Sequence, residues 1–216
     1  MPLESGDALL QRLHTGDRGA LSEAFMLHRE RLWRMINFRM DRRLRGRVDP
    51  DDVLQEAYLN AEQRFEHFDQ EAGHSIFIWF RLICSQTLVD VHRRHVEAEM
   101  RSAGREVSAH RSPGGPSTSY SIAGQLAGSM TSPSQAAHKQ ELSKQLAAAL
   151  ETMEPIDQEI IALRHFEDLS NAEVAEVLEI KRTAASNRYV RAIARLREVL
   201  DDVPGFSDSN GGPPRG

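Results

Sequence analysis

Cysteine is nearly missing: Cys84 is alone among 216 residues, which excludes a disulfide framework and a cysteine-rich zinc site and fits a reducing compartment. Long apolar runs are missing too, for no stretch approaches the roughly eighteen uninterrupted residues that a membrane-spanning helix needs. Residues 1–14 hold no basic segment followed by an apolar run, so no secretory leader is expected, and the chain is read as cytoplasmic without membrane insertion. Excess positive charge is also lacking. At a formal net charge of −5 the chain is not built to coat nucleic acid by bulk electrostatics, which leaves a local basic patch as the form a DNA surface would take. There is no alternating strand pattern, no internal repeat, no phosphate-cradling glycine loop and no nucleophile–base arrangement. What remains, 40% hydrophobic and 27% charged residues, is ordinary globular material.

Composition divides the chain. Residues 101–135 carry Pro113, Gly114, Gly115 and Pro116, then Ser117, Thr118 and Ser119, and later Ser132, Pro133 and Ser134. That stretch offers too little apolar surface to offset the entropy of ordering, so it is expected to be a flexible linker. It separates a helical block at 1–100 from another at 136–202, and a disordered tail is expected at 203–216.

In the first block, Leu21, Phe25, Leu32, Met35, Ile36 and Met40 recur at helical spacing among arginines. Asp49 followed by Pro50 has the form of an N-cap and a first-turn proline, opening a helix through Val53, Leu54, Ala57, Tyr58, Ala61 and Phe65. A third helix starts near Ser75. Its stripe is Ile76, Phe80, Ile83, Cys84, Thr87, Leu88 and Val91, and it ends in the basic run His92, Arg93, Arg94, His95. Helical spacing also puts Phe65, Trp79 and Phe80 near that stripe, as core.

In the second block, a helix near 134–152 precedes one opened by Pro155. Ser170 with Glu173 three residues later is a capping box. The short helix it starts offers Val174, Ala175 and Leu178 to a core, breaks around Glu179 to Lys181 and gives way to a longer helix through Ala185, Tyr189, Ile193, Leu196 and Leu200. A short helix, a three-residue break and a longer helix make a helix-turn-helix. The opposite face of the long helix holds Arg182, Ser186, Arg188, Arg191 and Arg195, with Lys181 and Arg197 nearby. This is the local basic patch, and both DNA binding and a plain solvated surface are open to it.

The segment EIIALRHFEDLSNAEVAEVLEIKRTAASNRYVRAIARLREVL resembles region four of the bacterial sigma factors. Independently, DPDDVLQEAYLNA at 49–61 resembles the region-two signature that grips the polymerase clamp helices, and IWFRLICSQTLVDVHRR resembles the following segment that opens and reads the minus-ten element. Two such regions in this order, with no full domain between them, resemble the extracytoplasmic-function group of sigma factors. The resemblance implies an all-α protein of two small helical domains: a region 2 bundle and a region 4 helix-turn-helix. It implies a non-enzymatic role, with no cofactor and no metal, in which the partners are core RNA polymerase, through its clamp helices and flap, and promoter DNA. The group also implies an anti-sigma partner, which no residue here identifies.

Residue by residue, the resemblance places Asp49, Asp52, Leu54, Gln55 and Glu56 on the polymerase-docking surface, where acceptors would meet Arg and Lys of a partner helix and Leu54 would add an apolar anchor. Two other readings of this acidic cluster are favourable placement at a helix amino terminus and a Mg²⁺ site. Phe68, His74, Phe77 and Gln86 would meet single-stranded minus-ten bases by stacking and edge contacts, with Arg93 and Arg94 on phosphates or simply ending a helix. Lys181, Arg182, Thr183, Ser186, Asn187, Arg188 and Arg191 would face the minus-thirty-five duplex. The sequence departs from the family at Glu179, where glycine is common, at Thr183-Ala184-Ala185, which replaces a Gly-Thr-Val-like start, and at Gln86, where asparagine is frequent.

Overall fold

Local capping signals start several of the helices in the computed structural model, which describes residues 6–41, 44–68, 75–103, 118–130 and 136–203. The chain divides into two compact units, residues 1–115 and 116–216. Among the described residues the architecture is all-helical, and no helix is long and apolar enough to cross a membrane.

The first unit contains α1 (Gly6–His14), α2 (Arg18–Arg39), α3 (Pro50–Arg64), a 3-10 turn (Phe65–His67) and α4 (Ile76–Ala103). Asp17 caps α2 by accepting from the Gly19 N–H at 2.8 Å. Arg12 of α1 donates to the same carboxylate at 2.8 Å and to Glu23 at 2.9 Å. The Arg12 hydrogen bond, followed by that from Gly19, holds the Asp17 carboxyl below its ordinary range. Asp49 and Pro50 open α3 as expected, the Asp49 carboxylate accepting from the Asp51 N–H at 2.9 Å. Helices α2, α3 and α4 pack pairwise around Leu21, Leu32, Ile36, Ala57, Ala61 and Phe80, all fully buried. The stripe read on α4 is buried throughout, Thr87 and Cys84 included, because residues three and four apart share a helix face.

The second unit contains α5 (Thr118–Met130), α6 (Ala136–Leu150), α7 (Pro155–Ile161) continued by a π-turn (Ala162–Phe166), α8 (Asn171–Val177) and α9 (Arg182–Asp201). Its core is built on Ile122, Leu146, Leu150, Ile160, Ile161, Leu163 and Leu169. Inside the stretch expected to be an unstructured linker, residues 118–130 therefore form a helix. The expectation missed it because its buried face is made of Ser119, Ile122, Ala123 and Ala127, small residues that score poorly as core material. A buried polar network holds α5 in place. Ser119 Oγ donates to Gln158 Oε1 at 2.7 Å, and Gln158 Nε2 donates to the carbonyls of Leu150 and Met153 at 3.0 and 3.1 Å. Val203, assigned to the tail from sequence, is buried as well.

Burial of Cys84 generates a test. Its surroundings push the thiol up to about 12 from an ordinary 9.0, so between those values the unfolded chain has lost a proton that the folded chain keeps. The thiol's contribution to stability is complete below pH 9 and disappears as pH rises toward 12. Urea unfolding followed by tryptophan fluorescence at pH 8 and pH 10 is expected to show the wild type losing about 1.4 kcal/mol more than Cys84→Ala over that interval. Equal losses would place the thiol in contact with water.

Candidate nucleic-acid interface

The capping box is formed on both sides. Ser170 Oγ accepts from the Glu173 N–H at 3.3 Å, and Glu173 Oε2 accepts from the Ser170 N–H at 2.7 Å. Helix α8 ends at Val177, and the chain reverses through Glu179, which holds a left-handed φ of 53°. The Ile180 N–H returns to the Ala175 carbonyl at 2.9 Å, and Asn171 Nδ2 donates to the Arg182 carbonyl at 2.9 Å, tying the two helices across the turn. Ala185, Ala192, Val199 and Leu200 bury the inner face of α9, while Lys181, Arg182, Thr183, Ser186, Asn187 and Arg191 are exposed on its outer, amino-terminal part. Val190, which the sequence reading passed over, is 65% exposed between Asn187 and Arg191.

Arg188 behaves otherwise than expected. Its guanidinium pairs with Asp157 at 2.9 Å and Glu154 at 3.1 Å, at the start of α7. These two carboxylates, Glu154 foremost, raise its pKa further. The side chain, 31% exposed, is therefore tied to α7 by both carboxylates. No sequence signal marked this pairing, because its partners lie some thirty positions away.

In the first unit, Asp52 and Gln55 are exposed on α3. Leu54, expected as an apolar anchor, is 3% exposed and belongs to the core. The exposed leucine is Leu59, four residues after Gln55 and seven after Asp52, so these three share one face. Asp51 is held by Arg29 and by Trp33 Nε1, the latter at 3.2 Å. Arg94 Nη2 donates to both carboxylate oxygens of Glu56, at 2.6 and 2.7 Å. Asp49 caps its helix and Glu56 is taken by Arg94, so two of the carboxylates of the acidic cluster have partners within the protein. Among the described residues no group of three acidic, histidine or cysteine side chains could hold a metal.

Residues expected to meet single-stranded DNA separate into two groups. Phe77 is 3% exposed, with the Arg31 guanidinium 3.7 Å above its ring centroid and His28 packed beside it. It is core, because the α4 position next to Ile76 turns toward α2. Phe68 is half-buried and packs on Phe65 and Trp79, and His74 lies outside the described residues. Gln86 is exposed and accepts from Arg64, lining with Ser85, Val89 and Asp90 a shallow recess between α3 and α4. Arg93 pairs with Asp90 at 3.0 Å. Across the same seam Asn60 Nδ2 donates to Thr87 Oγ1 at 2.9 Å. The pairs 56–94, 60–87 and 64–86 run in opposite numerical directions, so α3 and α4 are antiparallel here.

Residues 143–196 match the family described as Sigma-70, region 4. The second unit is similar to that family over these residues. Within it lie the later turns of α6, all of α7 and α8, and α9 through Leu196; α5 falls outside. The whole chain is similar in fold to CnrH, solved in complex with the cytosolic domain of CnrY, at 20% identity over 92% of this chain and 98% of that one, with a TM-score of 0.50. It also aligns with the sigma factor RpoE from Bartonella quintana, solved with the anti-sigma factor NepR, at 15% identity over 84% and 96%, with a TM-score of 0.42. No curated protein matches. The all-helical fold and the region 4 match agree with the resemblance to the extracytoplasmic-function sigma factors.

Four substitutions at three positions separate scaffold from surface in the second unit. Glu179→Gly is expected to leave stability unchanged or raise it by about 0.5 kcal/mol, whereas Glu179→Val lowers it by about 1 kcal/mol or more, since a β-branched residue resists positive φ. Arg188→Ala is expected to cost about 1 kcal/mol, and Arg191→Ala less than about 0.5 kcal/mol. Urea titration followed by far-ultraviolet circular dichroism measures all four. A larger loss for Arg191→Ala than for Arg188→Ala would reverse the assignment.

Proposed function

We propose that the chain associates with core RNA polymerase and directs promoter-specific initiation by recognising a minus-thirty-five and a minus-ten element. The observation carrying this reading is the helix-turn-helix of the region 4 domain, whose capped turn leaves six polar or basic residues exposed on and just before the first turns of α9. The amino-terminal part of such a helix enters the major groove, where Arg and Lys reach base edges and phosphates and Asn reads adenine. Lys181, Arg182, Thr183, Ser186, Asn187 and Arg191 take this role, and Val190 offers an apolar contact to a thymine methyl. Arg188 supports them from behind.

On the first unit, Asp52, Gln55 and Leu59 form the polymerase-docking stripe, with Leu59 in the anchoring role that the buried Leu54 cannot fill. Gln86 and the recess beside it meet melted minus-ten bases, with Arg93 and Arg94 toward the phosphates. No residue catalyses anything and no cofactor takes part. Each good base-edge pair contributes about 1–3 kcal/mol, so the two weakly binding units depend on polymerase to raise their effective concentration at one promoter. Such a role places the chain in the cytoplasm. An anti-sigma protein is a further partner in this reading; CnrH, similar in fold, was solved with a protein partner, the cytosolic domain of CnrY.

Run-off transcription with bacterial core polymerase on a genomic promoter library tests the reading. New polymerase-dependent starts are expected, reduced about tenfold or more both by Asp52→Ala/Gln55→Ala and by Arg182→Ala/Arg191→Ala. No starts, together with sequence-specific duplex binding by the protein alone, would instead make it a stand-alone regulator. A pull-down from native cells returning polymerase and nothing else would remove the inhibitor.

A further inference from the structure

The two ends of a glutamine amide differ: the oxygen only accepts hydrogen bonds and the nitrogen only donates them. The last torsion of the side chain is broad and roughly two-fold, so an untethered Gln86 would turn either end to a base and select little. Arg64 removes that freedom. A guanidinium has donors and no acceptor, so when Arg64 Nη1 meets the Gln86 amide it takes the oxygen. The amide nitrogen has no partner among the described residues. We infer that Arg64 is a positioning residue for base recognition: by holding the Gln86 oxygen it leaves Gln86 only donors to offer, and the pair selects a base edge that carries an acceptor. The inference rests on the reading in which Gln86 meets a melted minus-ten base.

Both side chains are exposed, and an isolated exposed pair is loosely set. Anchored neighbours set this one. Phe65, next to Arg64, is 7% exposed and stacks on Phe68. Thr87, next to Gln86, is 1% exposed and accepts from Asn60 at 2.9 Å. Asn60 lies one turn before Arg64 on α3, so the two pairs are successive contacts along one seam. The backbone of each helix is thereby fixed where guanidinium and amide meet.

The recess beside the pair suits a base better than a phosphate. Val89, exposed on α4, gives it an apolar wall on which a ring can rest. Asp90 lines it as well, its Oδ1 accepting from Arg93 at 3.0 Å. That carboxylate offsets the charge of Arg64 and leaves the recess without the positive excess on which phosphate binding depends. Selection then falls to the amide. A base edge with an acceptor meets the Gln86 N–H groups, whereas an edge that turns a donor toward them leaves both sides unpaired, the costly arrangement. A freely turning amide would avoid that mismatch and lose the selection.

Run-off transcription with core polymerase on promoters randomised across the minus-ten element locates the base concerned, as the position where Gln86→Ala flattens the wild-type preference. There the wild type is expected to favour its best base by about fivefold or more. Arg64→Leu is expected to bring that preference within about twofold, and Arg64→Lys, which still donates to the oxygen, to retain most of it. Gln86→Glu keeps an acceptor for Arg64 but has no donor, and abolishes the preference. Analogues of the favoured base give the direction of the bond. Deleting one acceptor lowers wild-type starts about fivefold or more and leaves Gln86→Glu indifferent, while deleting a donor leaves the wild type unchanged. Starts lowered equally on all promoters by Arg64→Leu, with the preference intact, would make Arg64 merely structural and overturn the inference. So would a wild-type requirement for a donor on the base, or a preference that Gln86→Ala flattens nowhere. Each of those results keeps polymerase-dependent starts and with them the sigma-factor reading; starts from no promoter remove that reading and this inference together.

Discussion

A buried amide must find partners for every donor and acceptor it carries, and at Gln158 that requirement organises the whole second unit. The side chain is 6% exposed. Its nitrogen closes off the carboxy-terminal carbonyls of α6, and its oxygen receives Ser119 of α5. One residue earlier on α7, Asp157 receives Arg188 of α9. Consecutive positions of one short helix thus address three neighbours. The exposed basic turns of α9 are set by a polar lattice at the far side of the domain as much as by their own capped turn.

The first unit solves a different problem, since its core is mainly apolar and a row of polar pairs lies along the seam between α3 and α4. Arg94 with Glu56, Thr87 with Asn60 and Gln86 with Arg64 line up over about two helical turns of α4. Exposed pairs of this kind add little stability. Their effect is on shape, because they keep the side chains of the proposed DNA-facing seam extended and ordered over the apolar packing beneath.

Signals that act over three or four residues were legible in the sequence. Asp49 with Pro50, Ser170 with Glu173 and the α4 stripe are determined by neighbours along the chain, and the structure has them where they were read. What depends on packing between elements was not. Leu54 and Leu59 are the same residue type on the same helix, and only the position of α2 and α4 decides which is buried. Phe77 looks as suited to a base as Phe68 until Arg31 and His28 of α2 cover it. Arg188 reads as one more arginine of a basic face, and its carboxylates come from another helix. Helix α5 was hidden for a compositional reason: serine and glycine usually mark chain that cannot pack, and here they permit close approach to α6.

Both tryptophans, Trp33 and Trp79, and the lone thiol of Cys84 belong to the first unit, while the second has only tyrosines and phenylalanines as aromatic residues. The molecule is therefore spectroscopically lopsided. Indole emission and thiol titration see one half of the chain alone, whereas backbone dichroism sees both. The stabilities of the first and second units can accordingly be separated in a single intact chain, without dyes, labels or dissection.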